Sequence, residues 1–290
     1  MRLKDLKDIF HKELDLIYGE EEVNSFFFML IEDFYDIHRI ELALQPETAI
    51  TKREQEPIFK ALDDLKNEIP IQHILGKTEF FGMQLQVNNK VLIPRPETEE
   101  LVSLVLQNIK NQQQNSKTYS ILDIGTGSGC IAISLAKNLP NARVYALDVS
   151  AEALNVAKQN AELNEVDVEF IKVDILNPET WKLEFKNLKF DTIVSNPPYV
   201  RQQEKQEIKS NVLNNEPHLA LFVSDNDSLQ FYKAIIQFGT NNLRENGLLF
   251  FEINEYLGNE MVQLLKENNF NSIELKKDMF GKDRMIKATK

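Results

Sequence analysis

Between Tyr119 and Asn138 the chain leaves little choice of fold. Tyr119-Ser-Ile-Leu-Asp-Ile124 is an apolar run of strand length, and Cys130 to Asn138 carries its apolar residues at helical spacing. The junction is Gly125-Thr-Gly-Ser-Gly129. Glycines at alternate positions let the backbone turn sharply and approach a ligand closely. The helix that follows aims its unpaired N–H groups at the same place. The spacing is G-x-G-x-G, not the G-x-G-x-x-G of dinucleotide folds, and no Lys-Ser/Thr pair follows as in a phosphate loop. Asp148 ends the next strand, where a carboxylate can accept both hydroxyls of a ribose. Asp123, Gly125, Thr126, Gly127, Ser128, Gly129 and Asp148 therefore form a candidate site for a nucleoside cofactor. Asp174 and Ile175, after the third strand, are candidates for the adenine amino group and ring. Trp181 reads as core. Cys130 sits at a helix start, where the dipole can lower a thiol pKa, but no base is near it in sequence, and it reads as a small buried apolar residue.

Strand and helix alternate through the rest of the C-terminal part. Strands are expected at Arg143–Asp148, Val168–Val173, Phe190–Ser195 and Gly247–Ile253, with Ser272–Lys276 and Arg284–Ala288 as a closing antiparallel pair. Helices are expected at Ala151–Asn164, Leu229–Leu243 and Gly258–Asn268, and Gln112–Lys117 reads as a polar loop. Such alternation means an α/β, Rossmann-like, mainly parallel sheet with helices on both faces. Residues 1–76 differ. Leu3, Leu6, Ile9, Phe10, Leu14 and Ile17 recur at three- and four-residue steps, and Thr51 with Glu54 forms a capping box ahead of Ile58, Leu62 and Leu65. This is an N-terminal helical bundle. Between the two, residues 77–93 read as a β-hairpin linker: a strand ending at Val87 after a glycine turn, Asn88-Asn89 as a second turn, and Val91–Ile93 as the partner strand. The C-terminal domain takes residues 94–290.

The net charge is -12, and residues 1–88 hold 18 acidic against 10 basic residues. Phosphate binding draws on clustered Lys and Arg, so the charge argues against a broad footprint on nucleic acid, and no stable nucleic-acid partner is expected. An acidic first domain suits a protein partner with a basic face, or is simply solvated. No apolar run approaches the roughly 20 residues of a membrane span, and the mixed-charge start Met1-Arg-Leu-Lys-Asp has no apolar h-region. A cytoplasmic protein without membrane attachment is expected. One cysteine allows no internal disulfide, and His11, His38, His73 and His218 show no metal-ligand spacing, so no metal is expected.

Asn196-Pro197-Pro198-Tyr199 follows the strand Phe190–Ser195. It caps the C-terminal end of a sheet strand, where open α/β sheets place ligands. Two prolines stiffen the loop and add carbonyls without N–H groups. The Asn196 side-chain oxygen and the Pro197 carbonyl can each take one hydrogen of a neutral planar –NH2 group. They offer no base for an ammonium and no donor for a carboxylate. With the ring of Tyr199 packed on the group, its lone pair would be aimed at an electrophile, and placement is most of what such a reaction needs. Asn196, Pro197 and Tyr199 are the candidate catalytic residues, and Asn196 also borders the cofactor site.

These segments resemble the bacterial peptide chain release factor glutamine methyltransferases. The resemblance rests on Phe81-Gly82, Leu92-Ile-Pro-Arg-Pro-Glu-Thr-Glu99, Asp123 to Gly129, Ala146-Leu-Asp-Val-Ser150, Asn196 to Tyr199, Glu216-Pro217 with Ala220-Leu221, and Lys282-Asp-Arg284. It implies a class I S-adenosylmethionine-dependent methyltransferase that leaves S-adenosylhomocysteine. Its expected reaction is N5-methylation of the glutamine in a Gly-Gly-Gln motif of release factors. Asn196, Pro197, Pro198 and Tyr199 would form the substrate slot, with Arg95 and Glu97 near the peptide. Two other substrates fit the same motifs: a glutamine on a ribosomal protein, and a flipped adenine or guanine amino group. A catalytically silent binding module would be expected to show a damaged glycine or acceptor loop, and both are intact.

Overall fold

The protein is described by a computed structural model over residues 1–112, 119–207 and 210–290. The expected polar loop Gln112–Lys117 falls, beyond Gln112, outside the described residues.

The chain begins with five helices: α1 (Leu3–Tyr18), α2 (Glu20–Tyr35), α3 (Arg39–Leu44), α4 (Gln55–Lys66) and α5 (Ile71–Leu75). A hairpin follows, β1 (Lys77–Phe80) and β2 (Met83–Gln86), then α6 (Pro96–Gln112). Next come β3 (Tyr119–Ile124), α7 (Cys130–Asn138), β4 (Ala142–Asp148), α8 (Ala151–Leu163), β5 (Glu169–Lys172), α9 (Pro178–Glu184) and β6 (Phe190–Ser195). Short elements continue: β7 (Val200–Arg201), the 3₁₀ turn Gln202–Glu207, α10 (Ser210–Asn215), α11 (His218–Leu221) and β8 (Phe222–Val223). The chain closes with α12 (Gln230–Asn242), β9 (Leu243–Glu252), α13 (Gly258–Glu267), β10 (Asn271–Lys277) and β11 (Asp283–Thr289).

Two compact units result. The first holds Met1–Gly76 and α10, and the second holds the other described residues. In the first, Leu3, Leu6, Phe10 and Leu14 of α1 are fully buried against Phe27 and Leu30 of α2 and Ile58 and Leu65 of α4. The rings of Phe10 and Phe27 meet edge to face at 5.5 Å. Ile17 continues the spacing but is 45% exposed; it stands one residue before the last of α1, Tyr18, which Gly19 (φ 86°) follows as the cap. The capping box forms: Thr51 N–H donates to Glu54 at 2.7 Å, and Glu54 N–H donates to Thr51 at 3.4 Å.

The second unit is built on a seven-stranded sheet of order β10-β11-β9-β6-β3-β4-β5. The five strands from β9 to β5 are parallel, and β10 and β11 are antiparallel. Side chains alternate between the faces. Ile121, Val144, Val194 and Phe250 join α6 and α7 on one side. Leu122, Tyr145, Ile193 and Phe251 join α9, α12 and α13 on the other. Both faces are covered, as a parallel sheet requires, and each fully buried Phe contributes about 1.5–3 kcal/mol. Trp181 is 1% exposed in the second cluster, edge-on to Phe238, so it is core as expected.

The order fixes where ligands can sit. From β3 the chain winds outward through β4 and β5, then returns to β6 on the opposite side. The C-terminal ends of β3 and β6 therefore flank the topological switch point, where open α/β sheets bind ligands.

The hairpin differs from expectation. Its turn is Phe81-Gly82, with φ of 51° and 71°, the pair of positive values that two-residue hairpins favour. The partner of Met83–Gln86 is thus the upstream Lys77–Phe80, and Val91–Ile93 forms no strand. Lys77-Thr-Glu-Phe80 carries one buried side chain and gives no alternating signal. Val91 and Ile93 are buried in irregular chain, where the Ile93 N–H donates to the Glu216 carboxylate at 3.1 Å instead of to a neighbouring strand.

Candidate active site

The glycine loop is shaped by its own backbone. Gly125, Gly127 and Gly129 have φ of 75°, 55° and 86°, a region costly for other residues. Gly129 also lets α7 and α8 close: a Cβ there would lie 2.8 Å from Ile133 Cδ1 and 3.3 Å from Ala157 Cα. At Gly125 and Gly127 a Cβ would meet nothing within 4 Å. The N–H groups of Gly125 and Thr126 donate to the Leu147 carbonyl at 2.9 and 3.0 Å, tying the loop to the end of β4. Asn160 of α8 holds it from behind, donating to the Ser128 and Gln86 carbonyls at 2.9 Å each.

The carboxylate of Asp148 accepts from Gly127 N–H and Ser150 N–H, both at 2.9 Å. Burial raises its pKa from the ordinary range, opposed by those N–H groups. Asp123 is fully buried beneath the loop and accepts from Thr126 Oγ1 at 2.6 Å. Burial pushes its carboxyl up to about 7. Burial likewise pushes the Cys130 thiol up to about 12, the behaviour of an inert buried thiol. Asp174 is half-buried, and its carboxylate accepts from Leu176 N–H at 2.9 Å, with buried Ile175 beside it.

A pocket of about 350 Å³ opens at the switch point. Its wall takes in Gly125 to Ser128, Asp148, Asp174 and Ile175 on one side, and Asn196, Pro197 and Pro198 on the other. Gly129 and Asp123 lie behind this wall, and Tyr199, Arg95 and Glu97 stand outside the lining.

Asn196 Nδ2 donates to Thr98 Oγ1 at 3.1 Å. Thr98 Oγ1 donates to Glu252 Oε2 at 2.7 Å, and the Tyr199 hydroxyl donates to Glu252 Oε1 at 2.9 Å. Asn196, through Thr98, and Tyr199, directly, are thus held by one carboxylate at the end of β9. Glu252 is 1% exposed, and burial raises its pKa. Asn254 Nδ2 donates to the Tyr199 carbonyl at 3.2 Å and to Glu204 at 3.0 Å, fixing the chain beyond the loop.

Arg95 pairs with Glu216, whose other oxygen accepts from Ile93 N–H. Glu216 is 4% exposed. It ties the Ile93–Arg95 chain to the start of α11 and so sets Pro94, on the pocket wall, and Thr98, in the first turn of α6. Sequence reasoning missed Thr98 and Glu252. The available signal was an acid closing an otherwise apolar strand, Leu248 to Glu252, next to the strand that carries the acceptor loop.

A parallel sheet with an antiparallel edge pair, a glycine loop after β3 and an acceptor loop after β6 makes this unit a class I methyltransferase. Residues 101–221 match the Methyltransferase small domain, and residues 18–76 match the PrmC N-terminal domain. A 16S rRNA N2 G1207 methyltransferase of T. thermophilus, solved with AdoMet and guanosine, shares the fold: TM-score 0.50 and 18% identity over 74% of this chain and 49% of that one. The release factor glutamine methyltransferase of Flavobacterium psychrophilum is 52% identical over 99% of both chains. That of Bacteroides thetaiotaomicron is 40% identical over 96% of this chain and 97% of its own. The chain belongs to the release factor glutamine methyltransferase family.

Proposed function

We propose that the protein transfers a methyl group from S-adenosylmethionine to the side-chain amide nitrogen (N5) of the glutamine in the Gly-Gly-Gln motif of peptide chain release factors. Supporting this reading, relatives named release factor glutamine methyltransferase match 96–99% of the chain, and a methyltransferase domain model and the PrmC N-terminal domain model match its two parts.

The donor set fits a nucleoside cofactor. Two glycines face open space at the pocket, so backbone approaches the ligand without a Cβ between. Asp148 offers a carboxylate for ribose hydroxyls, Ile175 an apolar wall for the adenine, and Asp174 an acceptor for its amino group. Thr126, Ser128 and Gly129 shape the loop, and Asp123 holds it through Thr126. When bound, S-adenosylmethionine supplies a methyl group already activated on a sulfonium.

The chain's own work is placement. An amide nitrogen is a weak nucleophile because its lone pair is delocalised. Asn196 Oδ1 and the Pro197 carbonyl hold its two N–H bonds, Pro198 keeps the loop stiff, and Tyr199 shapes the slot. Held this way, the nitrogen lone pair would be free to take the methyl group that a cofactor held by the glycine loop and Asp148 would supply. The surplus proton leaves the nitrogen for solvent after transfer, so no strong base is required. The acceptors strengthen as positive charge grows on nitrogen. Arg95 supports the slot through Glu216, with Glu97 beside it on α6, and the acidic helical unit recognises the protein substrate.

One observation carries this reading: Asn196, oriented by Thr98, stands across one pocket from Asp148 and the glycine loop. Purified enzyme is offered labelled S-adenosylmethionine with release factor, ribosomal protein, DNA and rRNA. Label is expected on the release factor glutamine and lost when that residue is alanine. Label on nucleic acid or ribosomal protein alone overturns the assignment.

A further inference from the structure

We infer that Glu252 is a positioning residue for methyl transfer: through Thr98 it orients and polarises the amide of Asn196, and directly it fixes Tyr199. The inference rests on the acceptor role proposed for Asn196.

The protons along the chain can be assigned. Asn196 Nδ2 can only donate, so Thr98 Oγ1 accepts that bond on a lone pair. The single hydroxyl proton of Thr98 is then committed to Glu252 Oε2. Tyr199 gives its own hydroxyl proton to Glu252 Oε1. A carboxylate is the one group at position 252 that accepts from both at once. The consequence runs outward. A hydroxyl that donates to an anion is a better acceptor, and an amide whose N–H is drawn to that acceptor carries more negative charge on its oxygen. Asn196 Oδ1, turned away from Thr98, is the atom that meets the substrate N–H as charge develops. An asparagine free to flip its amide would present Nδ2 there half the time and repel the substrate's own N–H groups. Thr98 forbids the flip, and Glu252 forbids Thr98 from reversing.

The surroundings of Glu252 suit this role. Thr98 and Glu97 face it from α6, Cys130 from α7, Tyr199 from the loop after β6, Tyr232 from α12 and Arg284 from β11. Arg284 favours the charged form, while Glu97 opposes it. Burial raises the carboxyl's pKa, so its loss of charge on acidification falls at a higher pH than for an exposed glutamate.

Glu252→Gln keeps the volume but puts an NH2 where Thr98 or Tyr199 must donate. We expect kcat on release factor to fall on the order of ten- to hundredfold, as when the hydrogen-bond partner that orients a metal ligand is removed. The Kd for S-adenosylmethionine is expected to stay within about twofold, since Glu252 does not line the pocket. Wild-type kcat should decline towards acid as Glu252 takes a proton, and this limb should vanish in Glu252→Gln. In the free enzyme, the side-chain NH2 resonances of Asn196 should move with the same titration and shift in the variant. Thr98→Val is expected to match Glu252→Gln, while Thr98→Ser restores activity, and this pair decides the matter if Glu252→Gln does not fold. Near-wild-type kcat in both Glu252→Gln and Thr98→Val overturns the inference. Loss of cofactor binding in parallel with activity also overturns it, since that marks a purely structural post. If release factor is not the substrate, wild-type enzyme fails too, which separates the two readings.

Discussion

Asp123 shows what the glycine loop costs at a single residue. It is fully buried, and burial pushes its carboxyl up to about 7, against 3.8 for an exposed aspartate. Between those values the folded state keeps a proton that the unfolded chain has released. Stability supplied by that proton is complete below the unfolded pKa and is lost as pH rises through the folded one. The loss is at most about 4 kcal/mol, from about three pKa units at 1.36 kcal/mol each. Asp123→Asn is neutral throughout and still offers Thr126 an acceptor. Thermal melts of cofactor-free protein should show the variant gaining on wild type between about pH 4 and 7. Parallel pH slopes would show that Asp123 sheds its proton without penalty. Asn196 makes the opposite case, a residue proposed to serve substrate and carrying little structural debt. Asn196→Ala should abolish methyl transfer while calorimetry shows cofactor binding preserved, and loss of binding would reassign the loop. That Asn196, Asp148, Gly125 and Gly127 share one pocket was legible in the sequence because each sits in a short local pattern at a strand end. Thr98 and Glu252 were not, because they meet only across 154 positions of chain. A Thr in a helix start and a Glu at a strand end carry no local mark of having a partner.

At the scale of elements, the three glycines of one loop do different jobs, and substitution separates them. Gly125→Ala faces open space and bears only the cost of its positive φ, about 1–2 kcal/mol. Gly129→Ala bears that cost and also drives a Cβ to 2.8 Å from Ile133 Cδ1 and 3.3 Å from the backbone of α8 at Ala157. The Ile133 side chain can rotate away, but Ala157 Cα cannot. Gly129→Ala should therefore lose about 3 kcal/mol or more in urea titrations, clearly beyond Gly125→Ala. Equal losses would mean the helices part without cost. The same scale shows why most elements could be read ahead. The strands Tyr119–Ile124 and Phe190–Ser195 and the helix Cys130–Asn138 have the expected bounds, since both faces of the sheet are covered and apolar runs mark its strands. The hairpin failed where that rule fails. A two-stranded ribbon with one buried residue in its first strand leaves only a turn to detect, and the turn pairs in both directions until burial decides.

For the whole molecule, the division into two units makes a prediction about where the cofactor is felt. Every residue of the pocket wall belongs to the unit built on the sheet, and none to Met1–Gly76. A ligand that binds only the folded form stabilises what must be folded to bind it, by about 2.7 kcal/mol at a hundred times its Kd. If the units open independently, that stabilisation stays in the second. Amide exchange in β3, β4 and β6 should slow by roughly a hundredfold on adding saturating S-adenosylhomocysteine, the rate equivalent of that energy. Amides of α1, α2 and α4 should keep their rates, since their protection comes from the separate core around Phe10, Phe27 and Leu30. Equal slowing in both units would show that they unfold together and that cofactor binding reaches the acidic helices. In that case the proposed division of labour, with substrate recognition by the helices and methyl transfer at the sheet, would become a coupled one. Adding release factor in place of the cofactor should give the complementary pattern, with slowing in the helical unit. Its absence there would remove the helices from substrate recognition and leave the acceptor loop to choose the substrate alone.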